Sequence, residues 1–546
     1  MKIVIVGGVA GGATTAARLR RLDENAEIIL FERGNHISFA NCGLPYYIGD
    51  VIKEKEELLL QTPKSFKKRF NIEVRVKQEV IKLKREDKKV EVQNKENGEI
   101  YEETYDKLVL APGAEPMNPF PKSTKIKTLR NVEDAVEIKK YINENRAKEI
   151  TIIGGGYIGV ELAENLSKEK DLRLKILERN DHLIAPLDQD MANFVHTKLN
   201  KNGIEIILKN GVQEVKEIDS KMEILLQNGN KIESDLILLC MGVIPETNLA
   251  IRAGIKTNEK GSIIVNEWMQ TNDENVYALG DAVQVNHIVT ESPSYIPLAG
   301  PANRQARVVA NHICNRKTSY LGSLGSSILK IFDCNLGITG INESICIRDH
   351  IPYKVMIISP YSHATYYPGA TQMTIKALYD PKTGKILGAQ VWGKESVDKI
   401  TDILATAIRM KMTAYDLEEL ELCYAPPFSS AKSPVNILGN SIENEIEGLV
   451  ENITWKEVMK LEDPYILDVR TNREYENSHL EKAVLIPLDE LRTRLEELPK
   501  ERMIYIHCHT GLRSYIACRI LSQNGFQVKN IIGGYYFYKK AIEPGN

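Results

Sequence analysis

The sequence predicts an α/β protein assembled from several domains with parallel β-sheets, and three observations support this prediction. Two segments each combine a short apolar strand, a glycine-rich turn and a helix, at residues 2–22 and 149–166. A strand, loop and helix follow one another again around residue 508. The chain of 546 residues is also long enough for three or four domains of ordinary size.

The composition is typical of a soluble globular protein. Hydrophobic residues make up 43% and charged residues 27% of the chain, and the net charge of -3 offers no electrostatic basis for binding nucleic acid or membranes. The N-terminus lacks the h-region and cleavage site of a signal peptide, and no apolar stretch approaches a membrane span. The eight cysteines include no C-x-x-C pair, which argues against a metal site and favours a reducing cytoplasm.

The first glycine-rich turn predicts a dinucleotide site. Residues 2–6 form an apolar strand, the turn opens a helix, and a second strand ends at Glu32. Glycines allow the backbone to approach a pyrophosphate, and the acid can accept hydrogen bonds from a ribose. One glycine slot departs from this pattern, because Val9 occupies it. The candidate binding residues are Gly7, Gly8, Val9, Ala10, Gly11, Gly12, Glu32 and Arg33.

The second turn fills all three glycine slots, with Gly154, Gly156 and Gly159. Glu178 ends the next strand, 24 residues after Gly154. A carboxylate at this position favours NADH over NADPH, although Arg179 beside it could weaken the preference, so NADPH stays open. Two dinucleotide sites imply electron transfer between a nicotinamide and a bound flavin, unless only one copy is occupied. Tyr157 and Ile158 complete this candidate site.

Three further segments resemble those of flavoprotein reductases with two Rossmann-like dinucleotide-binding domains: KLVLAPGAEP, LILLCMGVIPE and NVYALGDA. The resemblance implies an FAD-binding domain of residues 1–115 and 247–324, interrupted by an NADH-binding domain of residues 116–246. In that superfamily the Asp of the GD dipeptide, here Asp281, binds the ribityl or pyrophosphate part of FAD. The remaining candidate cofactor residues are Asn41, Val80, Ala111, Gly113, Gly242, Gly280 and Asp281.

Cys42 is a candidate redox centre because it stands alone. Disulfide reductases that bind a flavin commonly carry a Cys-x4-Cys pair after the acidic strand, but position 47 is Tyr47. A thiolate beside a flavin can attack a disulfide or persulfide, and it then needs a mobile sulfur partner. The alternative is a small buried cysteine without a role in chemistry.

The segment SFANCGLPY, preceded by VGGVAGGA, resembles the family of coenzyme A-disulfide reductases and persulfide reductases over residues 1–440. The resemblance implies a homodimer, an α+β dimerisation domain (residues 325–440) and a mixed disulfide between Cys42 and coenzyme A. It also implies two tyrosines near the active site, Tyr366 and Tyr424, with Tyr367 as an alternative to the first. The segment around Tyr424 reaches across the dimer in this family. Interface packing is the alternative role for these phenols.

Coenzyme A requires cationic groups for its phosphates. Arg18 and Arg21 lie three residues apart on the first helix and share a face. The family places coenzyme A contacts at positions that match Arg18, Arg21, Ser38 and Asn41. A second basic run, residues 67–69, is more typical of solvated surface.

The C-terminal part looks like a small α/β rhodanese domain (residues 451–546), joined by a short polar linker (residues 441–450). Cys508 opens the run CHTGLRS, and four residues separate it from Arg513, whereas phosphatase loops have five. Backbone N–H groups of the loop and the charge of Arg513 would stabilise a thiolate or persulfide on Cys508. The alternative is a degenerate docking domain. Cys518 falls in the following helix and is expected in the core.

These residues predict an NADH- and FAD-dependent reductase of coenzyme A disulfide, persulfide or polysulfide sulfur, with Cys508 as a carrier of sulfane sulfur. An alternative is an NADH oxidase or peroxidase in which Cys42 cycles through a sulfenate. Another is a non-catalytic protein for sulfur relay or redox sensing. The rhodanese-like segment disfavours the oxidase, because oxygen chemistry needs no sulfur carrier.

Overall fold

The computed structural model describes residues 1–145, 147–169 and 171–543. It forms two compact units, and each is described by itself. The first contains Met1–Asn180 and Gly203–Gly325, and the second contains Asp181–Asn202 and Ser326–Asn546. Within the described residues no helix is both long and apolar enough to cross a membrane.

A five-stranded parallel sheet forms the centre of the first unit. Its central strand Lys2–Val6 is apolar, and Ile3, Val4 and Ile5 are fully buried. The helix Ala10–Leu22 packs against the helix Ala299–Ile313 beside this sheet. From edge to edge the strands are Val276–Ala278, Lys107–Leu110, Lys2–Val6, Glu27–Glu32 and Glu73–Val76.

A second parallel sheet repeats this plan in the same unit. Its strands are Ile204–Ile207, Arg173–Leu177, Glu149–Ile153, Leu236–Leu239 and Ile126–Thr128. Because parallel sheets are buried on both faces, their strands are near-continuous apolar runs, as in Leu236–Leu239. The helices of this part are Val132–Asn145 and Tyr157–Leu166.

Antiparallel hairpins and short helices complete the first unit. The two three-stranded sheets are Gln78–Lys84, Lys89–Asn94 and Ile100–Thr104, and Val212–Ile218, Lys221–Leu226 and Lys231–Ser234. The two-stranded pairs are Ala114–Pro116 with Val243–Pro245, and Val285–Asn286 with Pro293–Ser294. The short helices are Asn41–Gly43, Leu44–Ile48, Lys55–Leu58, Pro63–Phe70, Asn248–Arg252 and Gly280–Ala282.

The second unit begins with a five-stranded antiparallel sheet. Its strands are Ser327–Ile331, Cys334–Gly340, Ile386–Gly393, Thr374–Tyr379 and Lys354–Ile358. Helices pack against this sheet, and every residue of its central strand Ile386–Gly393 is buried. The helices are Gln189–Lys201, Glu343–Arg348, Val397–Arg409, Ala414–Glu419 and Pro434–Ile446.

A smaller parallel sheet lies at the C-terminal end of the second unit. Its strands are Asn452–Ile453, Val528–Ile531, Ile504–His507, Tyr465–Asp468 and Val484–Leu485. The helices are Trp455–Val458, Asn472–Asn477, Leu491–Thr493, Leu495–Glu497, Leu512–Gln523, Gly534–Phe537 and Tyr538–Ile542. Cys518 belongs to the core of this part, as expected.

Two segments differ from the sequence-based boundaries. Residues 441–446, expected within a linker, continue the helix Pro434–Ile446, which a Ser433 capping box starts and which buries Ile442. Residues 181–202, expected within the NADH-binding domain, group with the second unit. Their helix buries Phe194 against Trp392 of the antiparallel sheet, with ring centroids 6.1 Å apart. The last three residues of the predicted C-terminal domain, 544–546, lie outside the described residues.

Candidate functional site

The first glycine-rich turn has the geometry of a nucleotide cradle. Gly7 has a φ of +99°, and a side chain there would overlap the carbonyl oxygen of Ala111. A side chain at Gly12 would overlap the carbonyl oxygen of Gly7. Val9 occupies the position before the helix Ala10–Leu22, so the missing glycine does not prevent the turn. The turn therefore presents bare backbone at the start of a helix, as a pyrophosphate requires.

Glu32 is fixed at the end of its strand by this turn. The N–H of Gly8 donates to its carboxylate at 2.8 Å, and the N–H of Gly34 donates at 2.7 Å. Neighbouring Arg33 pairs with Glu115 and approaches Glu79 and Glu246 at 3.9 Å. Glu32 can thus receive ribose hydroxyls, which fits the adenosine half of a dinucleotide.

The other predicted residues of this site lie around the carboxyl edge of the first sheet. Ala111 follows the strand Lys107–Leu110, and Gly113 has a φ of +77° close to Arg130. Val80 is buried at an irregularity in its strand. Burial raises the pKa of Asp281, and Arg130, 3.8 Å away, opposes that change. Gly280 has a φ of +77° and donates its N–H to Gln305.

The second turn reproduces the first arrangement. Gly154 has a φ of +107°, and a side chain there would overlap the carbonyl oxygen of Cys240. The N–H of Gly155 donates to Glu178 at 2.8 Å, and Asn180 donates to its other oxygen. The predicted residues Gly156, Tyr157, Ile158 and Gly159 start the helix Tyr157–Leu166, and Gly242 has a φ of +101°. Both cradles therefore fit a dinucleotide.

Cys42 lies in the short helix Asn41–Gly43, in the same unit as both cradles. The residue is exposed, yet desolvation by nearby protein, followed by the charges of Glu161 and Asp281, raises the pKa of its thiol. Burial raises the pKa of Glu161 to about 7 and that of Tyr46 to about 12. The Tyr46 hydroxyl donates to Glu161 at 3.4 Å. We did not predict Tyr46 or Glu161, since only folding brings Glu161 to the thiol.

An aromatic residue, Tyr47, occupies the position that holds the second cysteine in a Cys-x4-Cys pair. Tyr47 is buried, and the Lys139 ammonium lies 4.2 Å from its ring centroid. The same ammonium donates to the Tyr47 carbonyl and to Asp50. Asn41 has a buried side-chain oxygen without a hydrogen-bond partner in the part of the chain that the structure describes. This oxygen is available to a bound molecule.

A basic pocket lies in the first unit, with a volume of about 430 Å³. Arg18 donates to the Asn311 side chain from two nitrogens, at 3.2 and 3.1 Å. Desolvation and the like charges of Arg307, Arg21 and Arg316 lower the pKa of Arg18, so the pocket favours an anion. The pocket is lined by Arg18, Arg307, Asn311, Arg316, Lys317 and Thr318.

Of the four predicted coenzyme A residues, Arg18 lines this pocket. Arg21 is exposed on the helix of Arg18, and Ser38 donates its N–H to Gly8 with a φ of +46°. Arg307, Arg316 and Lys317 were not predicted, because they are distant from Arg18 along the chain. Basic residues at 304, 307, 316 and 317 were the available signal.

The two predicted tyrosines meet in the second unit. The hydroxyls of Tyr366 and Tyr424 lie 2.8 Å apart, and both side chains are exposed. This hydrogen bond raises the pKa of Tyr366. Tyr367 instead packs edge-on against His363, with ring centroids 5.7 Å apart. Of the two alternatives, Tyr366 is therefore the phenol paired with Tyr424.

Cys508 is buried at the end of the strand Ile504–His507. The N–H of Gly511 donates to its sulfur at 3.1 Å, and the hydroxyl of Ser514 donates at 3.5 Å. Gly511 has a φ of +120°, which turns its N–H into the loop. Donors aimed at one sulfur stabilise a thiolate or persulfide. Ser514 was not predicted.

Arg513 is paired with an acid, Glu474. Its guanidinium donates twice to Glu474, at 2.7 Å each, and this pair lowers the pKa of Glu474 to about 2. Arg470 forms a buried pair with Asp468 and stacks on the Tyr535 ring at 4.0 Å. Glu474 was missed, although its capping-box spacing to Thr471 is visible in the sequence.

Three acids in the second unit come close enough together to suggest a metal site: Asp188, Asp190 and Glu343. The buried ammonium of Lys376 lies between them, 3.0 Å from Asp188 and 2.8 Å from Asp190. The lysine therefore takes the place of a cation, and we assign no metal here.

Three family models match the chain. Residues 1–306 match the pyridine nucleotide-disulphide oxidoreductase model, residues 326–434 match its dimerisation domain, and residues 449–541 match a rhodanese-like domain. The predicted fold class and the predicted resemblance are confirmed by these matches and by the structural neighbours below. The domain boundaries and the roles of individual residues stay predictions.

Curated and solved proteins are similar over most of the chain. Coenzyme A disulfide reductase of Staphylococcus haemolyticus is 36% identical over 439 residues, which cover 80% of this chain and 98% of that protein. The structure of reduced Bacillus anthracis CoADR-RHD is 45% identical, with a TM-score of 0.96 and coverage of 99% and 98%. That of an NAD-dependent persulfide reductase from A. fulgidus is 35% identical, with a TM-score of 0.93 and coverage of 98% and 100%.

Proposed function

The chain belongs to the pyridine nucleotide-disulphide oxidoreductase family, and from this premise we propose that it uses NADH to reduce coenzyme A persulfide or coenzyme A disulfide. Family membership makes it a flavin-dependent oxidoreductase. The substrate, the role of each cysteine and the assembly as a homodimer are parts of the proposal. The dimerisation-domain match supports the homodimer.

The environment of Cys508 is the observation that carries the proposal. Two donors, Gly511 and Ser514, point at a buried sulfur in the same chain as Cys42, an exposed thiol whose second-cysteine position holds Tyr47. An enzyme acting on oxygen or peroxide has no use for such a sulfur cradle. Cys508 is therefore proposed to carry sulfane sulfur, and Cys42 to be the site of reduction.

The two glycine cradles supply the binding sites for the cofactors. Gly7, Gly12 and Glu32 would hold the adenosine half of FAD, with Asp281 toward its ribityl chain, and Gly154 and Glu178 would hold NADH. When bound, FAD would pass the electron pair of NADH to the disulfide bond between Cys42 and coenzyme A. The fixed Glu178 carboxylate supports a preference for NADH, since it would repel a 2′-phosphate.

The basic pocket supports coenzyme A as the thiol. Coenzyme A carries several phosphates, and the pocket gathers Arg18, Arg307 and Arg316 in the unit that contains Cys42. Asn41 offers its unpartnered oxygen beside the thiol. Arg21 and Ser38 remain candidate contacts of coenzyme A.

The sulfur steps balance without a further oxidant. The coenzyme A thiolate attacks the outer sulfur of the Cys508 persulfide, and Cys508 leaves as a thiolate stabilised by Gly511 and Ser514. The Cys42 thiolate then attacks the coenzyme A persulfide, forms a mixed disulfide and releases hydrosulfide. Two electrons from NADH cleave that disulfide and restore both thiolates. The net reaction consumes the protonated persulfide, NADH and a proton, and it yields thiol, hydrogen sulfide and NAD⁺.

Tyr366 and Tyr424 are proposed to supply a proton during this sequence. Their hydroxyls share one hydrogen bond of 2.8 Å, so the Tyr366 hydroxyl, which retains its proton, can stabilise the oxygen of Tyr424 when Tyr424 gives up its proton. Both rings are exposed, which is compatible with a role at an assembled dimer.

Anaerobic sulfide release tests the proposal. With NADH and coenzyme A persulfide under nitrogen, the wild-type holoenzyme should oxidise one NADH for each sulfide released. Cys42→Ser should abolish this reaction, whereas Cys508→Ser should retain it and lose only turnover driven by thiosulfate. Full sulfide release by Cys42→Ser, or NADH consumption that requires air, would overturn the proposal.

A further inference from the structure

The turn Gly533–Gly534 packs directly beneath the Cys508 loop. The N–H groups of Tyr535 and Tyr536 donate to the carbonyls of Cys508 and His509, at 2.8 and 2.9 Å. A Cβ atom on Gly534 would lie 2.6 Å from the His509 carbonyl oxygen. Both glycines have positive φ angles, +79° and +60°. The turn therefore fixes the backbone of the loop and has no room for a side chain on that side.

The opposite side of the same turn meets the dimerisation domain. A Cβ atom on Gly533 would lie 2.8 Å from Cβ of Phe537 and 3.0 Å from Cγ2 of Ile357. Ile357 is buried on the strand Lys354–Ile358. The chain continues from this strand into residues 359–373, which include Tyr366. Two glycines thus separate the loop of Cys508 from the strand that leads to Tyr366.

Neighbouring contacts hold the turn in this position. The Phe194 ring packs against Phe537 with centroids 5.9 Å apart, and Asn193 donates to the Ala541 carbonyl at 2.6 Å. The Lys456 ammonium lies 3.3 Å from the buried carboxylate of Asp190. These contacts join the rhodanese-like domain to the helix Gln189–Lys201, whose Phe194 also packs against Trp392 of the antiparallel sheet. Together with the Ile357 contact, they make the turn a packed joint between the rhodanese-like domain and the dimerisation domain.

We propose that Gly533 and Gly534 are positioning residues that set where the sulfur of Cys508 is presented to the reductase. Gly534 shapes the loop around the sulfur, and Gly533 seats that loop against Ile357. This inference rests on the proposed sulfur transfer between Cys508 and coenzyme A. Transfer from the Cys508 persulfide breaks one S–S bond and forms another, with no net oxidation. Its rate therefore depends on how the two sulfur atoms are placed.

Three assays on the full holoenzyme separate placement from chemistry. Transfer of sulfur from thiosulfate to cyanide reports on Cys508 alone. NADH-dependent reduction of added coenzyme A persulfide reports on the Cys42 site alone. NADH oxidation driven by thiosulfate with catalytic coenzyme A requires both sites and the transfer between them.

Gly533→Ala tests the joint, and Gly525→Ala is its matched control. Gly525 also has a positive φ, +82°, but no atom lies within 4 Å of the position of its added Cβ. In Gly533→Ala the coupled assay should fall by about tenfold, while the two separate assays change by less than about twofold. Gly525→Ala should leave all three assays within about twofold.

Variants of Ile357 test the joint from the other domain, should Gly533→Ala fold poorly. Ile357→Leu removes Cγ2 at nearly constant volume, so it should lower the rate in the coupled assay but not the rates in the two separate assays. Ile357→Val keeps both branches at Cβ and should leave that assay unchanged. Thermal melting verifies that the variants are folded.

The outcomes distinguish this inference from the proposed function. If Gly533→Ala and Ile357→Leu are folded and leave the coupled assay at the wild-type level, the joint has no positioning role. A parallel loss in all three assays also overturns it, because that indicates general damage. If the wild-type enzyme itself does not reduce coenzyme A persulfide, the proposed function is wrong, whatever the variants show.

Discussion

The guanidinium of Arg513 donates two hydrogen bonds of 2.7 Å to the carboxylate of Glu474. This pair joins the helix after the Cys508 loop to the helix Asn472–Asn477. Thr471 also donates its N–H and hydroxyl to the same carboxylate. Arg513 is thus fixed in direction by two-point pairing, and its charge is shared between Glu474 and the sulfur.

Replacement of this acid should weaken both the site and the domain. In Glu474→Gln the guanidinium loses its two-point partner, so sulfur transfer from thiosulfate to cyanide should fall by about tenfold. The free energy of unfolding of the C-terminal domain should fall by ~1 kcal/mol, a value for a partly exposed ion pair. Glu476→Gln is the control, because Glu476 is an exposed acid on the same helix.

The contribution of Glu474 to stability should depend on pH in a defined direction. Since folding lowers the pKa of Glu474 to about 2, its stabilisation is complete above the ordinary pKa of 4.5 and is lost as the pH falls toward 2. The difference in melting temperature between wild type and Glu474→Gln should therefore shrink below pH 4.5. A difference that grows in acid would contradict the ion pair.

Glu161 should control the reactivity of the Cys42 thiol. Because the negative charge of Glu161 contributes to the raised pKa of Cys42, Glu161→Gln should lower that pKa. Alkylation of Cys42 at pH 8 should then be about three times faster, as measured by mass spectrometry of holoenzyme freed of small thiols. At pH 6 the two proteins should react alike, since the Glu161 carboxyl, with a pKa of about 7, is then mostly protonated. Glu169→Gln serves as the control, and equal rates at pH 8 would refute the coupling.

The basic pocket should govern affinity for coenzyme A substrates more than turnover. Arg307→Ala removes one cation from the wall of the pocket, so KM for coenzyme A persulfide should rise by about tenfold with kcat within about twofold. The increase should diminish at high salt, which screens exposed charges. Arg304→Ala is the control, because Arg304 lies on the same helix but does not line the pocket. An unchanged KM in Arg307→Ala would show that coenzyme A does not bind in this pocket.

The tyrosine pair should matter for turnover. Tyr366→Phe and Tyr424→Phe each remove one partner of the 2.8 Å hydrogen bond, so kcat for persulfide reduction should fall by about 10- to 100-fold. The double variant should lose little more than either single variant, since the two hydroxyls act together. Tyr367→Phe should behave as wild type. Full activity of both single variants would show that the two hydroxyls do not supply a proton and that the rings serve only in packing.

Local patterns were sufficient to predict the nucleotide cradles. A glycine slot and the acid at the end of the next strand are set by short-range backbone geometry, and the structure holds Glu32 and Glu178 on the turns in the same way. Family resemblance indicated Tyr366 and Tyr424 as residues near the active site, but their hydrogen bond, between positions 58 apart, was not predicted. Nothing in the intervening sequence specifies that contact.

The residues that were missed depend on long-range convergence. Glu161 approaches Cys42 from a helix more than one hundred residues away, and Arg316 joins Arg18 through the packing of two helices. The grouping of residues 181–202 with the second unit was not visible in the sequence, because the partner of Phe194 is Trp392, far along the chain. Such contacts leave no periodic signal in a single sequence.

Intact mass of the purified holoenzyme, before and after a reductant, tests the central claim most directly. The account predicts that reductant removes the mass of one coenzyme A from each chain, that the released thiol is coenzyme A, and that Cys42→Ser carries none. Loss of a single oxygen from Cys42, or a chain that releases no thiol while Cys42 remains reactive, would contradict the claim that coenzyme A is the sulfur partner of Cys42.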